Sequence, residues 1–177
     1  MLDVAVAYNR YKFIGEEFLT WLWYIIDSSQ NRLKPFDAQL ESLEIGNRIV
    51  LENRKKESTE RITIKGDGAS LEEGMLALKK GALVTELSLK YHSNNNEWKF
   101  TIKGESLNLS SLTTPATALP ETADDLEGFV LEKAYLYEMI IKFIENAFNG
   151  FIKLRISDRW NKSERQLVQL WINQSRL

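Results

Sequence analysis

The sequence predicts an α+β chain: a small antiparallel sheet with an inserted helix, preceded by an aromatic-rich helix and followed by a C-terminal helical hairpin. Three observations carry this. Arg61-Ile62-Thr63-Ile64-Lys65 and Trp98-Lys99-Phe100-Thr101-Ile102-Lys103 alternate apolar and polar residues, the period of a half-buried strand. Phe18, Trp21, Leu22 and Ile25 recur at helical spacing. Beyond a Thr/Pro stretch the apolar residues return to a helical period, with no strand–helix–strand repeat that would build a parallel sheet.

The first element is expected to begin near Gly15, because Glu16 and Glu17 follow it and acidic side chains suit the positive end of a helix dipole. Trp23, Tyr24 and Ile26 fall outside the stripe formed by Phe18, Trp21, Leu22 and Ile25, so the helix is apolar nearly all round and needs cover from several directions. Trp21 is expected in the core, and Trp23 and Tyr24 nearer an interface, since large aromatics are strong contact anchors. The apolar run is shorter than the roughly 20 residues a bilayer needs, so no membrane partner is expected.

Leu43-Glu44-Ile45 and Ile49-Val50-Leu51 flank Gly46-Asn47, which reads as a tight turn. After the strand Arg61–Lys65, Gly66-Asp67-Gly68 breaks the pattern, and Ser70 with Glu73 reads as a capping box opening a helix from Leu71 to Lys80 that stops at Gly81. Leu83 to Tyr91 reads as a strand with Leu83, Leu87, Leu89 and Tyr91 on one face. Ser93 to Asn96 turns the chain into Trp98–Lys103, and a short strand is expected near Leu107-Asn108-Leu109. These elements make an α+β region over residues 1–112. A Thr/Pro linker covers 113–125, and a helical segment covers 126–177. In that segment a long helix runs from Leu126 to about Arg155, with Gly150 tolerated inside it, and Ser157 is placed to cap a final helix.

A chain of 177 residues is one domain, or one with an appendage. The absence of Cys excludes disulfides and thiolate metal sites. Met1 to Ala7 has no basic leader, which predicts a cytoplasmic protein. The net charge of −2 hides an uneven distribution. Basic residues cluster between Arg48 and Lys65 and again from Lys153 to Arg176, while acid concentrates around Glu121, Asp124, Asp125 and Glu127. A basic face on a mildly acidic protein follows.

Catalytic patterns are thin. Glu97-Trp98-Lys99 has a Glu-x-Lys spacing of the kind used by metal nucleases, but Asp67 and Asp37 are too far along the chain to complete it. His92 is the single His, beside a polar Asn run. Gly66 to Ser70 lacks the Lys of a phosphate-binding loop. No catalytic residue, metal or cofactor is expected, and no small-molecule substrate is identified.

The run Gly15-x-Glu17-Phe18-Leu19-x-Trp21-Leu22-Trp23 resembles the start of the conserved region in short bacterial members of the recombination-associated RdgC family. Ser70 to Leu112 is similar to that family's later part. It has a short helix ending in Gly81, then Val84-Thr85-Glu86-Leu87-Ser88-Leu89, then the aromatic return strand Trp98-Lys99-Phe100-Thr101-Ile102. The resemblance implies a nucleoid protein that binds duplex DNA without sequence preference, assembles as a ring-like dimer and restrains recombinase loading. From the residues themselves, Lys and Arg neutralise phosphates and release counterions whatever the base sequence. Arg61 and Lys65 on one strand and Lys99 and Lys103 on another would share a Lys/Arg/Thr surface if those strands were neighbours. Arg54, Lys55 and Lys56 offer a second basic loop. The expected function is non-enzymatic, sequence-nonspecific binding of duplex DNA by a homo-oligomer, modulating recombination. The rival expectation is a protein–protein assembly or scaffold component with the same fold and no DNA surface.

Overall fold

The computed structural model describes the backbone at residues 4–55, 58–66 and 71–174, and the side chains of the same residues except 4–13 and 71. Helix α1 (Val4–Ser28) precedes strands β1 (Ser42–Arg54) and β2 (Thr59–Lys65), helix α2 (Leu71–Lys79) and strands β3 (Leu83–Ser93), β4 (Asn96–Lys103) and β5 (Leu109–Thr113). Helices α3 (Ala123–Arg155) and α4 (Arg165–Gln174) close the chain, with a π turn (Trp160–Glu164) between them. The strands form one antiparallel sheet in the order β2-β1-β3-β4-β5. Mixed helix and sheet with a C-terminal helical pair is the architecture the residue patterns predict.

One face of the sheet carries the core. Ile49 and Leu51 of β1, Ile64 of β2, Leu87, Leu89 and Tyr91 of β3, and Trp98, Phe100 and Ile102 of β4 are all buried. Helix α1 lies over them, and its apolar circumference is covered from both sides. Phe18 and Trp21 meet Phe151 of α3, with ring centroids 5.6 and 5.4 Å apart. Trp23 and Tyr24 meet Trp171 of α4, each pair at 5.7 Å. The interface expected at Trp23 and Tyr24 is therefore corrected: they are 1% and 7% exposed within one chain, consumed by the packing of α4.

Helix α1 is also longer than its aromatic run, so Glu16 and Glu17 stand in its middle rather than at its positive end. Gly15 has a packing reason instead. A Cβ there would lie 1.7 Å from the carbonyl oxygen of Gly104, so α1 touches backbone just beyond β4. In an open helix, Gly→Ala gains about 1 kcal/mol. Here Gly15→Ala is expected to lose about 2–3 kcal/mol, because backbone must move on one side or the other. Chemical denaturation reads the sign directly, and a gain in stability would contradict the contact.

Gly46-Asn47 does not turn the chain. β1 runs straight through as a central strand, and Gly46, Asn47 and Arg48 bulge opposite Ser88 of β3, between the pairs Ile45↔Leu89 and Ile49↔Leu87. Gly46 fits because a Cβ would sit 3.0 Å from the Cβ of Ser88. A second register shift pairs Leu51 with Val84 and Glu52 with Leu83, so Val84 faces the core and Leu83 leaves the apolar face expected for it. The tight hairpin turn lies between β3 and β4, where Asn94 and Asn95 adopt φ of 50° and 63°, the left-handed pair of a two-residue loop. Helix α2 ends as expected before Gly81 at φ 89°. The Ser70 cap lies outside the described residues.

The last strand begins at Leu109, two residues later than expected from Leu107. Helix α3 begins at Ala123, three residues before Leu126. Thr122 and Asp125 form a reciprocal capping box there, and those hydrogen bonds hold the Asp125 carboxyl below its ordinary range. Gly150 is required rather than tolerated, since a Cβ would lie 2.1 Å from the ring of Phe36. Ser157 caps the end of α3, donating its hydroxyl to the Leu154 carbonyl at 2.7 Å, instead of opening the next helix.

Candidate nucleic-acid interface

The helices lie on the apolar side of the sheet, α4 against α1 and α2, and the other sheet face is mostly polar. Residues paired directly across antiparallel strands share a face. The pairing therefore sets rows across the outer side: Glu44, Lys90, Lys99 and Thr113; Ser88, Thr101 and Ser110; Val50, Thr63, Glu86 and Lys103. Arg48 pairs with Lys65, and Glu52 with Arg61. Arg61, Lys65, Lys99 and Lys103 thus occupy one surface, though not on neighbouring strands. β1 and β3 separate β2 from β4, and they insert Arg48 and Lys90 together with Glu44, Glu52 and Glu86.

Those interposed acids change the electrostatics. Arg48 and Arg61 share Glu86, at 3.1 and 3.0 Å, and Lys99 reaches Glu97 at 2.9 Å. The Lys99 contact lowers the pKa of Glu97. Lys65 and Lys103 are exposed, as is Lys55 in the β1–β2 turn. Lys56 lies outside the described residues. His92 stands at the sheet end with its Nε2 3.7 Å from Glu44 and 3.8 Å from Glu97, two neighbours that its position in the chain does not advertise.

Arg54 plays a different part. Its guanidinium makes a two-pronged contact with Glu16 of α1, Nη1 to Oε2 at 2.9 Å and Nη2 to Oε1 at 2.5 Å, and also meets Glu52 at 3.0 Å. Glu16 is 0% exposed, and its hydrogen bond is the largest cause raising the pKa of Arg54. As a DNA contact, Arg54 is therefore corrected: it is the counter-ion that lets a carboxylate lie beneath α1. Glu16 was hidden from sequence reading because its partner lies 38 residues away.

The outer face carries a groove of about 340 Å³, walled by Asn47, Ser88, Lys90, Lys99, Thr101 and Ser111. Two irregularities open it. β1 bulges at Gly46, and the β4–β5 pairing shifts between Lys99↔Thr113 and Thr101↔Ser110, with Ser111 at φ 54°. On its floor the hydroxyls of Ser88 and Thr101 bond to each other at 2.7 Å. On its wall Lys90 and Lys99 stand directly opposite across β3 and β4. Carboxylates stand beside both: Glu97 meets Lys99 at 2.9 Å and Glu44 pairs across from Lys90. Chemically, the groove offers two ammonium groups, hydroxyls and an amide: donors suited to phosphate oxygens. Lys90 is the member that sequence reading missed. Its strand reads as apolar alternation, and only the β3–β4 register sets it against Lys99.

Among the described residues no group of three or more His, Asp or Glu side chains is placed to hold a metal ion. No described helix is long and apolar enough to cross a membrane. No family model, curated protein or solved structure matches the chain.

Proposed function

We propose that this chain is a non-enzymatic, cytoplasmic DNA-binding protein that reads phosphates rather than bases, acting at the nucleoid and modulating recombination in the manner of the RdgC family it resembles. The observation that carries the reading is the groove on the outer sheet face, where Lys90 and Lys99 oppose each other beside the Ser88–Thr101 hydroxyl pair. Exposed Lys65 and Lys103 extend the same face toward a duplex, while Arg48 and Arg61 there are held by Glu86. Phosphate contacts of this type are sequence-independent and salt-dependent. Fluorescence anisotropy at low salt should give equal affinity for duplexes of unrelated sequence. The combined Lys90→Ala and Lys99→Ala variant should weaken both and reduce the magnitude of the log K against log salt slope by about 2. Absence of binding to duplex and single strand at low salt removes the reading.

A second reading is an assembly component. It is favoured by Glu44, Glu52, Glu86 and Glu97 on the same sheet face, which offset much of its positive charge. It is favoured too by the apolar surface that α3 leaves exposed. In either reading the chain works as a homo-oligomer.

A further inference from the structure

His92 is the single His of the chain. It stands on the outer sheet face, two residues beyond Lys90 on β3 and directly opposite Glu97 of β4. Residues two apart on a strand share a face and lie roughly 7 Å apart. The His92–Glu97 row therefore borders the Lys90–Lys99 row that walls the groove. The Nε2 atom lies 3.7 Å from Glu44 Oε1 and 3.8 Å from Glu97 Oε2. Both distances are within ion-pair reach and beyond hydrogen-bond reach. Although 29% of the side chain is exposed, Nε2 itself is buried and has no hydrogen-bond partner among the described residues. An unpartnered buried nitrogen beside two carboxylates is unfavourable while the ring is neutral. A proton on the ring turns the same geometry into two ion pairs.

The two carboxylates are also the counter-ions of the groove. Glu97 holds Lys99 at 2.9 Å, and Glu44 is the cross-strand partner of Lys90. The Glu97 carboxyl is held below its ordinary range first by its Lys99 hydrogen bond, with His92 and Lys90 adding to the effect. With a neutral imidazole, two ammonium groups face two carboxylates and the charges cancel. With an imidazolium the cluster carries one net positive charge, and each carboxylate is divided between a lysine and His92. The remaining neighbours do not disturb this balance. Ser42 is the uncharged residue across from His92 on β1, and Tyr91 and Ser93 on either side of it are buried on the opposite face. Glu41, whose backbone N–H donates to the His92 carbonyl at 2.9 Å, turns its carboxylate to the Asn94 amide at 3.0 Å.

We propose that His92 is a proton switch on the groove: protonation of its ring draws Glu44 and Glu97 off Lys90 and Lys99 and strengthens the binding of a nucleic-acid phosphate there. This rests on the phosphate-binding reading of the groove. Imidazole is the side chain whose charge changes between about pH 5 and 8. Affinity for DNA therefore rises as the pH falls through that range. The coupling is reciprocal, so a bound phosphate favours the proton on His92.

With one His in the chain, the linkage is read at one ring. Fluorescence anisotropy on the full chain at constant ionic strength should show duplex affinity rising about fivefold from about pH 8 to about pH 5.5, the upper value for one exposed ion pair. His92→Gln, which stays polar and takes no charge, should give a flat profile. In the wild-type chain the single imidazole Cε1–H resonance should titrate at higher pH once duplex is added. A wild-type affinity equal at both pH values overturns the switch and leaves phosphate binding standing. So does a pH response that survives His92→Gln, or an imidazole titration that duplex leaves in place. Absence of duplex binding at both pH values overturns the phosphate reading and the switch with it.

Discussion

Replacing Trp21 by Ala is expected to lower the unfolding free energy by about 4–5 kcal/mol, the upper part of the range for a buried aromatic. Two costs combine. The indole fills the space between Phe18, Phe36 and Phe151, with ring centroids 6.3, 6.4 and 5.4 Å away, so its loss opens a cavity where α1, α3 and the loop after α1 meet. Its N–H also donates to Glu164 Oε1 at 3.1 Å. Glu164 is 1% exposed, takes its other donor from Arg32 at 2.6 Å, and has no hydrogen-bond partner for Oε2 among the described residues. Removing the indole N–H leaves a buried carboxylate short of a second donor. Trp21→Phe separates the two effects, keeping most of the apolar volume while losing the donor, and should cost about 1–3 kcal/mol. Urea unfolding with an unchanged slope measures both. Equal costs for Ala and Phe would place the whole effect in the Glu164 bond, and a cost below about 1 kcal/mol for Ala would contradict the packing itself.

Arg54→Met should destabilise by about 3 kcal/mol, toward the lower end for a broken buried pair because Arg54 itself is 37% exposed while Glu16 is sealed. The cost comes from the orphan. With Arg54 gone, the Glu16 carboxylate stays under α1 with no cation to meet it. Glu16→Gln should cost less, because the arginine left behind can turn to Glu52 and water. Combining Arg54→Met with Glu16→Leu should recover most of the loss, the usual behaviour when a buried pair is replaced by apolar groups of similar size. A double variant no more stable than Arg54→Met would show that the pair does not act as a unit. The same experiment guards the DNA assay: a variant at Arg54 that loses DNA affinity has lost a structural ion pair, so only outer-face variants report on binding.

The elements that were legible in the sequence are those whose signal is local. The alternation from Trp98 to Lys103, the glycine stop at Gly81 and the Asn turn at 94–95 each follow from a handful of adjacent residues. The elements that were not legible depend on distant partners. Gly46-Asn47 has the composition of a turn, and only the pairing of β1 with β3 on both sides of it, at Ile45 and Ile49, makes it a bulge instead. Glu16 reads as a helix-start acid until Arg54 is brought beneath it. Trp23 and Tyr24 read as surplus aromatics until α4 places Trp171 against them. The candidate site divides the same way. Arg61, Lys65, Lys99 and Lys103 share the face expected from strand alternation. Lys90 and the neutralising Glu86 enter only through strand order, because β3 lies between the strands whose charges were matched.

The central claim is that the outer sheet face binds phosphate through the opposed lysines. Its most direct test is a salt titration of duplex affinity for the wild-type chain beside the Lys90→Ala and Lys99→Ala double variant, both verified as folded. The groove account predicts linear log–log plots for both proteins, with the variant weaker at every salt concentration and its slope shallower by about 2. Two superimposed plots would contradict it and shift any DNA contact to the basic residues around Lys153, Arg155 and Arg159.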